Sequence, residues 1–317
     1  MKFAILGAGG TGGCVGGYLA HAGNDVTFLA RGAHLTAMQK DGLTIHRSEG
    51  GDIHVADVKA CTADAYQETP DVLFVCVKYY SIGDAIALAR RVAGPDTLVI
   101  PILNVFGTGE VMQKDLPGIT CLDGCIYIWA LREAPGVIRQ DGKILRIFYG
   151  FRPGQDDRLA PKAQEVEKIL RDAGIHAHFS DDIRRDALQK FAFVSPMGAA
   201  GLYCHAVSGD MQPGGRARET FVELIREVKA LGEAMGVKFE REPVEAGKKL
   251  MDASSKDLTT SMQRDVAAGG ASEFAGLVDR VVGLGKKYHV ETPMYEKISA
   301  WGKEQKIRFN HKTCGIE

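Results

Sequence analysis

The sequence lacks a marked excess of charge of either sign. It contains 39 Lys and Arg residues against 40 Asp and Glu residues, which leaves a formal net charge of -1 at pH 7. Proteins that bind nucleic acids or anionic membrane surfaces usually carry a basic excess. The charge balance therefore argues against both kinds of partner.

A long hydrophobic run is also missing from the start of the chain. Residues 1–7 (MKFAILG) contain one lysine and an apolar stretch that stops at glycine. This stretch is shorter than the hydrophobic part of a secretory signal peptide or a membrane span. We therefore expect a cytoplasmic protein.

The cysteines lack the spacing of a disulfide framework or a metal site. The seven are Cys14, Cys61, Cys76, Cys121, Cys125, Cys204 and Cys314. An odd number of scattered cysteines in a chain of this length is typical of reduced thiols. Cys121 and Cys125 lie four residues apart, but no Cys or His pair nearby completes a zinc site, so we predict no metal.

Two patterns of secondary structure follow each other along the chain. Predicted strands and helices alternate over the first half, beginning with strand–turn–helix–strand within residues 2–30. After about residue 180 the strand signals cease and only helices are predicted. We therefore expect an α/β, Rossmann-type dinucleotide-binding domain at residues 1–180 and an all-α helical domain at 181–317.

The segment between the first strand and the first helix reads GAGGTG, residues 7–12. A G-x-G-x-x-G pattern becomes specific when it follows a strand and opens a helix. Glycine permits the tight turn, the approach of a pyrophosphate to the backbone and the close packing of helix on strand. The predicted cofactor-binding residues in this segment are Gly7, Gly9, Gly10, Thr11 and Gly12.

The second strand ends without an acidic residue. Sites that prefer NAD usually place Asp or Glu there to accept hydrogen bonds from the ribose hydroxyls. Here Arg31 follows the strand, and no acid occurs before Asp41. A guanidinium matches the 2′-phosphate of NADPH, although a surface arginine without a function is the alternative.

Two polar side chains follow apolar runs that predict buried strands. Lys78 follows the run at 71–77, and Asn104 follows the run at 97–103. Ligands of open α/β sheets bind at the carboxyl ends of such strands. Both residues are candidates for a cofactor or substrate site, with a solvated lysine and a turn asparagine as the alternatives.

Three polar residues stand out in the helical half. Lys190 has apolar neighbours on both sides, which predicts a partly buried ammonium rather than a freely solvated one, although a lysine that extends to the surface is the alternative. Ser261 and Glu273 frame the segment that begins SMQRD. From composition alone, Glu273 is also consistent with an acidic residue in a first helical turn.

These segments together resemble the ketopantoate reductase (2-dehydropantoate 2-reductase) family over nearly the whole chain. The resemblance rests on the glycine segment at 7–12, on ARG at 30–32, on VCVK at 75–78 and on the Leu103–Asn104 pair. It continues with Lys190, the segment TSMQRD at 260–265, and Glu273.

The resemblance implies an NADPH-dependent reductase of a 2-oxo acid, with 2-dehydropantoate (ketopantoate) as the expected substrate in pantothenate biosynthesis. It implies that Lys190 donates the proton and that Glu273 orients Lys190 or the substrate hydroxyl. Asn104, Ser208 and Ser261 would bind substrate, while Arg31, Lys78 and Asn104 would serve the cofactor. The helical half would also form a homodimer.

The chain departs from the family pattern after Lys190. The family usually has asparagines where this sequence has Val194 and Gly198, and Ser208 replaces a later one. A missing polar partner costs about 1–3 kcal/mol of binding, unless His205 or Ser195 replaces the amides. Two alternatives therefore stay open: a non-catalytic NADPH-binding regulatory protein, and a related 2-oxo or β-hydroxy acid dehydrogenase.

Overall fold

The computed structural model describes residues 1–307, so Cys314 lies outside the described residues. Two compact units are present. Unit 1 comprises residues 1–77, 82–103 and 107–183, and unit 2 comprises, of the described residues, 78–81, 104–106 and 184–307. The short segments that carry Lys78 and Asn104 thus belong to unit 2, although each follows a strand of unit 1 in the sequence.

The strands formed by residues 1–307 all lie in unit 1. In chain order they are β1 (Lys2–Leu6), β2 (Asp25–Leu29), β3 (Leu43–Arg47), β4 (Ile53–Val55), β5 (Lys59–Cys61), β6 (Val72–Val75), β7 (Leu98–Pro101), β8 (Thr120–Cys121), β9 (Asp123–Ala134), β10 (Val137–Gly150) and β11 (His176–Phe179).

The helices occur in both units. Unit 1 has α1 (Gly10–His21), α2 (Gly32–Asp41), α3 (Ile82–Val92), α4 (Thr108–Lys114) and α5 (Ala160–Asp172). Apart from its first residue, α6 (Ile183–Tyr203) lies in unit 2, which also has α7 (Arg218–Ala234), α8 (Pro243–Asp252), α9 (Ser261–Ala267), α10 (Arg280–Tyr288) and α11 (Pro293–Glu304). A π-helical turn, Ala275–Asp279, leads into α10.

A parallel sheet of six strands forms the centre of unit 1. Its order is β5-β2-β1-β6-β7-β8. Strands β2 and β5 lie on one side of β1 and strands β6 to β8 on the other, so the order in which strands are added switches sides between β1 and β6. All four residues of β6 and of β7 are buried, as expected for central strands covered on both faces. The predicted α/β half followed by a helical half is confirmed.

A second sheet of five strands lies beside the first in unit 1. Its order is β11-β10-β3-β4, and β9 pairs with β10 as a long antiparallel hairpin. The apolar residues of both sheets and of α1 and α5 share one core. Strand β9 passes close to the start of α1, where a Cβ at Gly10 would lie 2.5 Å from the carbonyl oxygen of Ala130.

Several predicted boundaries were wrong. The first helix begins at Gly10 rather than Cys14, and strand β11 was not predicted. Helix α6 was predicted to end at Phe193, but it continues through Pro196 to Tyr203. A proline inside a helix costs about 3 kcal/mol; here the helix is largely buried after Ser195, and burial of its apolar residues offsets that cost.

Candidate functional site

The glycine segment of unit 1 has the geometry that its sequence predicts. Gly7 adopts a φ of +92°, which favours glycine. A Cβ at Gly12 would lie 2.2 Å from the carbonyl oxygen of Gly7, so a side chain there would clash with backbone. A Cβ at Gly9 would meet nothing within 4 Å. Gly9 therefore leaves its backbone open to a ligand.

Helix α1 begins at this segment with its N–H groups available. Gly9 is the N-cap, no side chain caps the helix, and its first turn holds no acidic residue. The first intrahelical bond runs from the N–H of Gly13 to the oxygen of Gly9, at 2.6 Å. The preceding N–H groups, including that of Thr11, fit the pyrophosphate of a dinucleotide.

Arg31 directly precedes helix α2, where it forms the N-cap with extended backbone angles. Its side chain is exposed. Within residues 1–307 no hydrogen bond or ion pair engages the guanidinium, and Asp41 at the far end of α2 is the first acid after β2. The five N–H donors of Arg31 are therefore available to a phosphate.

In unit 2, two carboxylates converge on one ammonium group. The Nζ atom of Lys78 lies 3.2 Å from Oδ2 of Asp265 and 3.3 Å from Oε2 of Glu273. The second oxygen of Glu273 accepts a hydrogen bond of 3.1 Å from the backbone N–H of Tyr79. Glu273 is 3% exposed, so its charge is neutralised by partners rather than by water.

The charge state of Lys78 follows from this environment. Burial lowers the pKa of its ammonium, but the attraction and hydrogen bonds of Glu273 and Asp265 outweigh burial and raise the pKa above its usual value. Lys78 is therefore a permanent cation at neutral pH. Two of its three donors face the carboxylates, which leaves a third for a ligand.

A second lysine of unit 2 is held by an amide. Lys190 of α6 is 6% exposed, and its Nζ donates a hydrogen bond of 2.6 Å to Oδ1 of Asn104. Asn104 is half-buried, and its own N–H groups have no partner among residues 1–307. Asn104 thus orients the ammonium of Lys190 and keeps a donor for a further group.

Ser261 is brought towards Lys78 by helical spacing. It is the first residue of α9, which is capped by Thr260 and Gln263, and Asp265 lies four residues further on. Positions i and i+4 share one face of a helix. Since Asp265 holds Lys78, the hydroxyl of Ser261 lies on the same side, and it has no partner among the described residues.

Glu273 was expected to orient Lys190 or the substrate hydroxyl. In the structure the hydrogen bonds of its carboxylate run to Lys78 and to the backbone N–H of Tyr79, and its predicted role in orienting Lys190 stays a prediction. Lys190 is oriented by Asn104. Lys78 bonds to Glu273 and Asp265, and Lys190 bonds to Asn104.

Ser208 does not join this group. Its side chain is fully buried, and its hydroxyl donates to the carbonyl of Ser255 and accepts from the N–H of Leu258. Both hydrogen-bonding roles of this hydroxyl are used within the fold. We therefore leave Ser208 out of the proposed substrate site.

The expected replacements for the missing amides are also engaged elsewhere. The hydroxyl of Ser195 is bonded to the carbonyl of Leu277 and to the hydroxyl of Tyr295, and the side chain is fully buried. His205 is exposed after the end of α6, beside the ring of Trp301. Neither side chain extends the polar group around Lys190.

The face of α6 that carries Lys190 becomes apolar over its next two turns. Val194 is four residues after Lys190 and half-buried. A Cβ at Gly198 would lie 2.8 Å from Cε of Met262, a buried side chain of α9. Met262 therefore occupies the space into which a side chain at position 198 would extend.

Sequence reasoning missed the roles of Asp265 and Met262. Both lie in the SMQRD segment, and the spacing of Ser261 and Asp265 was the available signal for a shared helix face. No signal connected Met262 with Gly198, because the contact depends on how α9 packs against α6. Ser272, beside Glu273, is a further case: its buried hydroxyl has no partner among residues 1–307.

The fold and these residues define a class of protein: an oxidoreductase with a Rossmann-type unit for a nicotinamide dinucleotide and a helical second unit. Sequence models place it more narrowly. One described as ketopantoate reductase PanE/ApbA matches residues 3–154, and one described as ketopantoate reductase PanE/ApbA C terminal matches residues 182–304. The chain belongs to the ketopantoate reductase family.

Individual relatives are distant. The 2-dehydropantoate 2-reductase of Pyrococcus horikoshii is 26% identical over 93% of this chain and 94% of its own. The crystal structure of 2-dehydropantoate 2-reductase from Methylococcus capsulatus superposes with a TM-score of 0.85 at 21% identity, covering 99% of both chains. D-mandelate dehydrogenase with NADH and anilino(oxo)acetate gives a TM-score of 0.85 at 20% identity, covering 97% of this chain and 99% of its own.

Two further features concern membrane spans and metal sites in the described part of the chain. Within residues 1–307, no helix combines the length and apolar character needed to cross a membrane. The same residues contain no group of three or more His, Cys, Asp or Glu side chains arranged to hold a metal ion.

Proposed function

We propose that the protein reduces a 2-oxo acid to a 2-hydroxy acid with NADPH. The observation that carries this proposal is the buried ammonium of Lys190, held at 2.6 Å by Asn104, in a chain of the ketopantoate reductase family. A buried, oriented N–H donor is the group that reduction of a carbonyl requires.

The proposed mechanism divides the work between two sets of residues. The nicotinamide, when bound, supplies a hydride to C2 of the acceptor. Lys190 donates a hydrogen bond to the carbonyl oxygen, then transfers its proton as negative charge develops there, and regains a proton from solvent. Asn104 holds the ammonium in position, and Ser261 and the free N–H groups of Asn104 bind polar groups of the acceptor.

The preference for NADPH is proposed from Arg31. Its unpartnered guanidinium follows β2, where the ribose of a dinucleotide lies in Rossmann-type folds. The 2′-phosphate accepts charge-assisted hydrogen bonds from such a fork. Lys78, with one donor directed away from its two carboxylates, is a proposed second contact for the cofactor.

The first acceptor to test is ketopantoate, since relatives carry the name 2-dehydropantoate 2-reductase. A second class is favoured by one observation: Val194 and Met262 make the α6 surface beyond Lys190 apolar. Such a surface suits 2-oxo acids whose side chain lacks a hydroxyl. D-mandelate dehydrogenase, which shares the fold, is bound to NADH and anilino(oxo)acetate, whose phenyl ring carries no hydroxyl.

A substrate screen tests both proposals. NADPH oxidation is followed by absorbance with ketopantoate, 2-oxoisovalerate and phenylglyoxylate under identical conditions, for the wild type and for Val194→Asn and Val194→Leu. If the apolar surface selects the acceptor, Val194→Asn raises kcat/KM for ketopantoate relative to 2-oxoisovalerate several-fold, and Val194→Leu does not. A rate with ketopantoate that exceeds all others in the wild type would reject the second class.

Turnover itself distinguishes an enzyme from a binding protein. Tight binding of NADPH without oxidation by any acceptor would favour a non-catalytic regulatory protein on the same scaffold. The predicted homodimer is a separate proposal, tested by light scattering of the purified protein.

A further inference from the structure

A buried histidine connects the glycine segment to the turn between β9 and β10. His34, in the first turn of α2, is 5% exposed. Its Nε2 lies 2.7 Å from the carbonyl oxygen of Ala8, inside the GAGGTG segment. Its Nδ1 lies 2.9 Å from the backbone nitrogen of Gly136. One imidazole ring thus spans two loops of unit 1.

The two bonds fix the tautomer of the ring. The N–H of Gly136 is a donor, so Nδ1 accepts and carries no proton. The carbonyl of Ala8 is an acceptor, so Nε2 must carry the proton and donate it. The ring is therefore neutral, with Nε2 protonated. An imidazolium has N–H at both nitrogens and would place a second donor against the N–H of Gly136.

The surroundings favour the same neutral form. Burial lowers the pKa of His34 below its usual value; the hydrogen bond to Ala8 opposes this shift, and the positive charge of Arg132 adds to it. Arg132 lies on β9, beside the turn, and the glycine segment contributes no charged side chain. His34 is therefore held neutral around pH 7.

The position of His34 also links two parts of the proposed cofactor site. Arg31 is the N-cap of α2, three residues before His34. The bond to Ala8 ties the first turn of α2 to the glycine segment. The turn is constrained in its own right, since Gly136 has a φ of +75° and its carbonyl accepts from the N–H of Thr44.

We propose that His34 is a positioning residue for the dinucleotide: its Nε2–H holds the carbonyl of Ala8 so that the backbone of the glycine segment keeps the conformation that binds pyrophosphate. The proposal rests on the proposed binding of a dinucleotide to that segment. His34 acts through Ala8 and is given no contact with the cofactor.

A matched pair of variants separates the two hydrogen bonds. The amide of glutamine reaches as far as Nε2 of imidazole, so His34→Gln keeps the donor to Ala8. The amide of asparagine reaches only as far as Nδ1, so His34→Asn keeps the acceptor for Gly136 and loses the bond to the loop. Calorimetric titration with NADP⁺ gives Kd for each variant, and thermal unfolding gives Tm.

We expect Kd for NADP⁺ to rise about five- to tenfold in His34→Asn, the equivalent of one lost hydrogen bond, and to stay within about twofold in His34→Gln. Equal Kd values in two folded variants would overturn the inference alone, because a structural role would lower Tm in both without separating their affinities. Failure of the wild type to bind NADP⁺ or NAD⁺ would overturn the proposed function and this inference together.

The pH dependence supplies a second readout. The 2′-phosphate titrates near pH 6, so the ratio of wild-type Kd to His34→Gln Kd is used, in which that effect cancels. The ratio should not rise as the pH falls, because the imidazolium that forms in the wild type still donates Nε2–H to Ala8 and loses only the contact with Gly136, which His34→Gln also lacks. A ratio that rises several-fold at acid pH while the wild type is still folded would overturn the inference, because it would assign the affinity to the bond with Gly136 rather than to the bond with Ala8.

Discussion

The glycine segment of unit 1 and the lysine group of unit 2 are built in opposite ways. The first presents backbone N–H groups, has no charged side chain, and depends on the absence of Cβ atoms at Gly9 and Gly12. The second depends on long charged side chains whose partners lie far apart in the sequence. A backbone site is disrupted by added atoms, whereas a charged site is disrupted by lost ones.

The largest effect is expected at Lys190, and it tests whether the two sites act independently. Lys190→Ala removes the proposed proton donor and should lower kcat by about 10²–10⁴-fold, while Kd for NADP⁺ stays within about twofold. Steady-state kinetics and calorimetry measure the two effects. Near-normal turnover in this variant would remove Lys190 from the mechanism.

The converse test adds one methyl group to the glycine segment. In Gly12→Ala the new Cβ would lie 2.2 Å from the oxygen of Gly7, so the backbone must move. We expect a loss of about 1–3 kcal/mol of stability or more and a large loss of NADP⁺ affinity.

Gly9→Ala is its matched control, because a Cβ there meets nothing within 4 Å. Its Tm should be unchanged while its affinity for NADP⁺ falls, since the methyl group stands where a ligand approaches. Equal Tm values for Gly9→Ala and Gly12→Ala would contradict the packing role given to Gly12.

A third variant tests the cofactor preference. Arg31→Asp replaces a side chain that donates hydrogen bonds to phosphate by one that accepts them from ribose hydroxyls. The ratio of kcat/KM for NADPH to that for NADH should therefore fall by about 10–100-fold, or roughly 1.4–2.8 kcal/mol. Arg31→Ala should lose affinity for NADPH without gaining affinity for NADH. An unchanged ratio in Arg31→Asp would show that the 2′-phosphate is held elsewhere.

The smallest effect is expected at Glu273, where a substitution tests the ion pair between Glu273 and Lys78. Glu273→Gln weakens the contact with Lys78 and should lower stability by about 1–3 kcal/mol at pH 7. The pKa of Lys78 is raised in the folded state, so this contribution is present below the unfolded value of about 10.4 and is lost as pH rises through the higher folded value. The Tm difference from wild type should therefore shrink above that pH.

The glycine segment was predictable because its chemistry is local: six consecutive residues, their strand and their helix suffice. The pairing of Lys78 with Glu273 was not, because it joins residues 195 positions apart and no periodicity connects them. Ser208 shows the same limit, since only the fold reveals that its hydroxyl is consumed by Ser255 and Leu258. His34 carried no signal at all, because its partners are backbone atoms of two distant segments.

The membership of residues 78–81 and 104–106 in unit 2 has a consequence for recombination and protein engineering. A chimera that exchanged the helical half at Arg184 would leave Lys78 and Asn104 facing foreign partners. Glu273 and Lys190 would each lose the group that neutralises or orients it. A successful exchange must therefore transplant these two short segments together with the helices, as a discontinuous block of three pieces of chain.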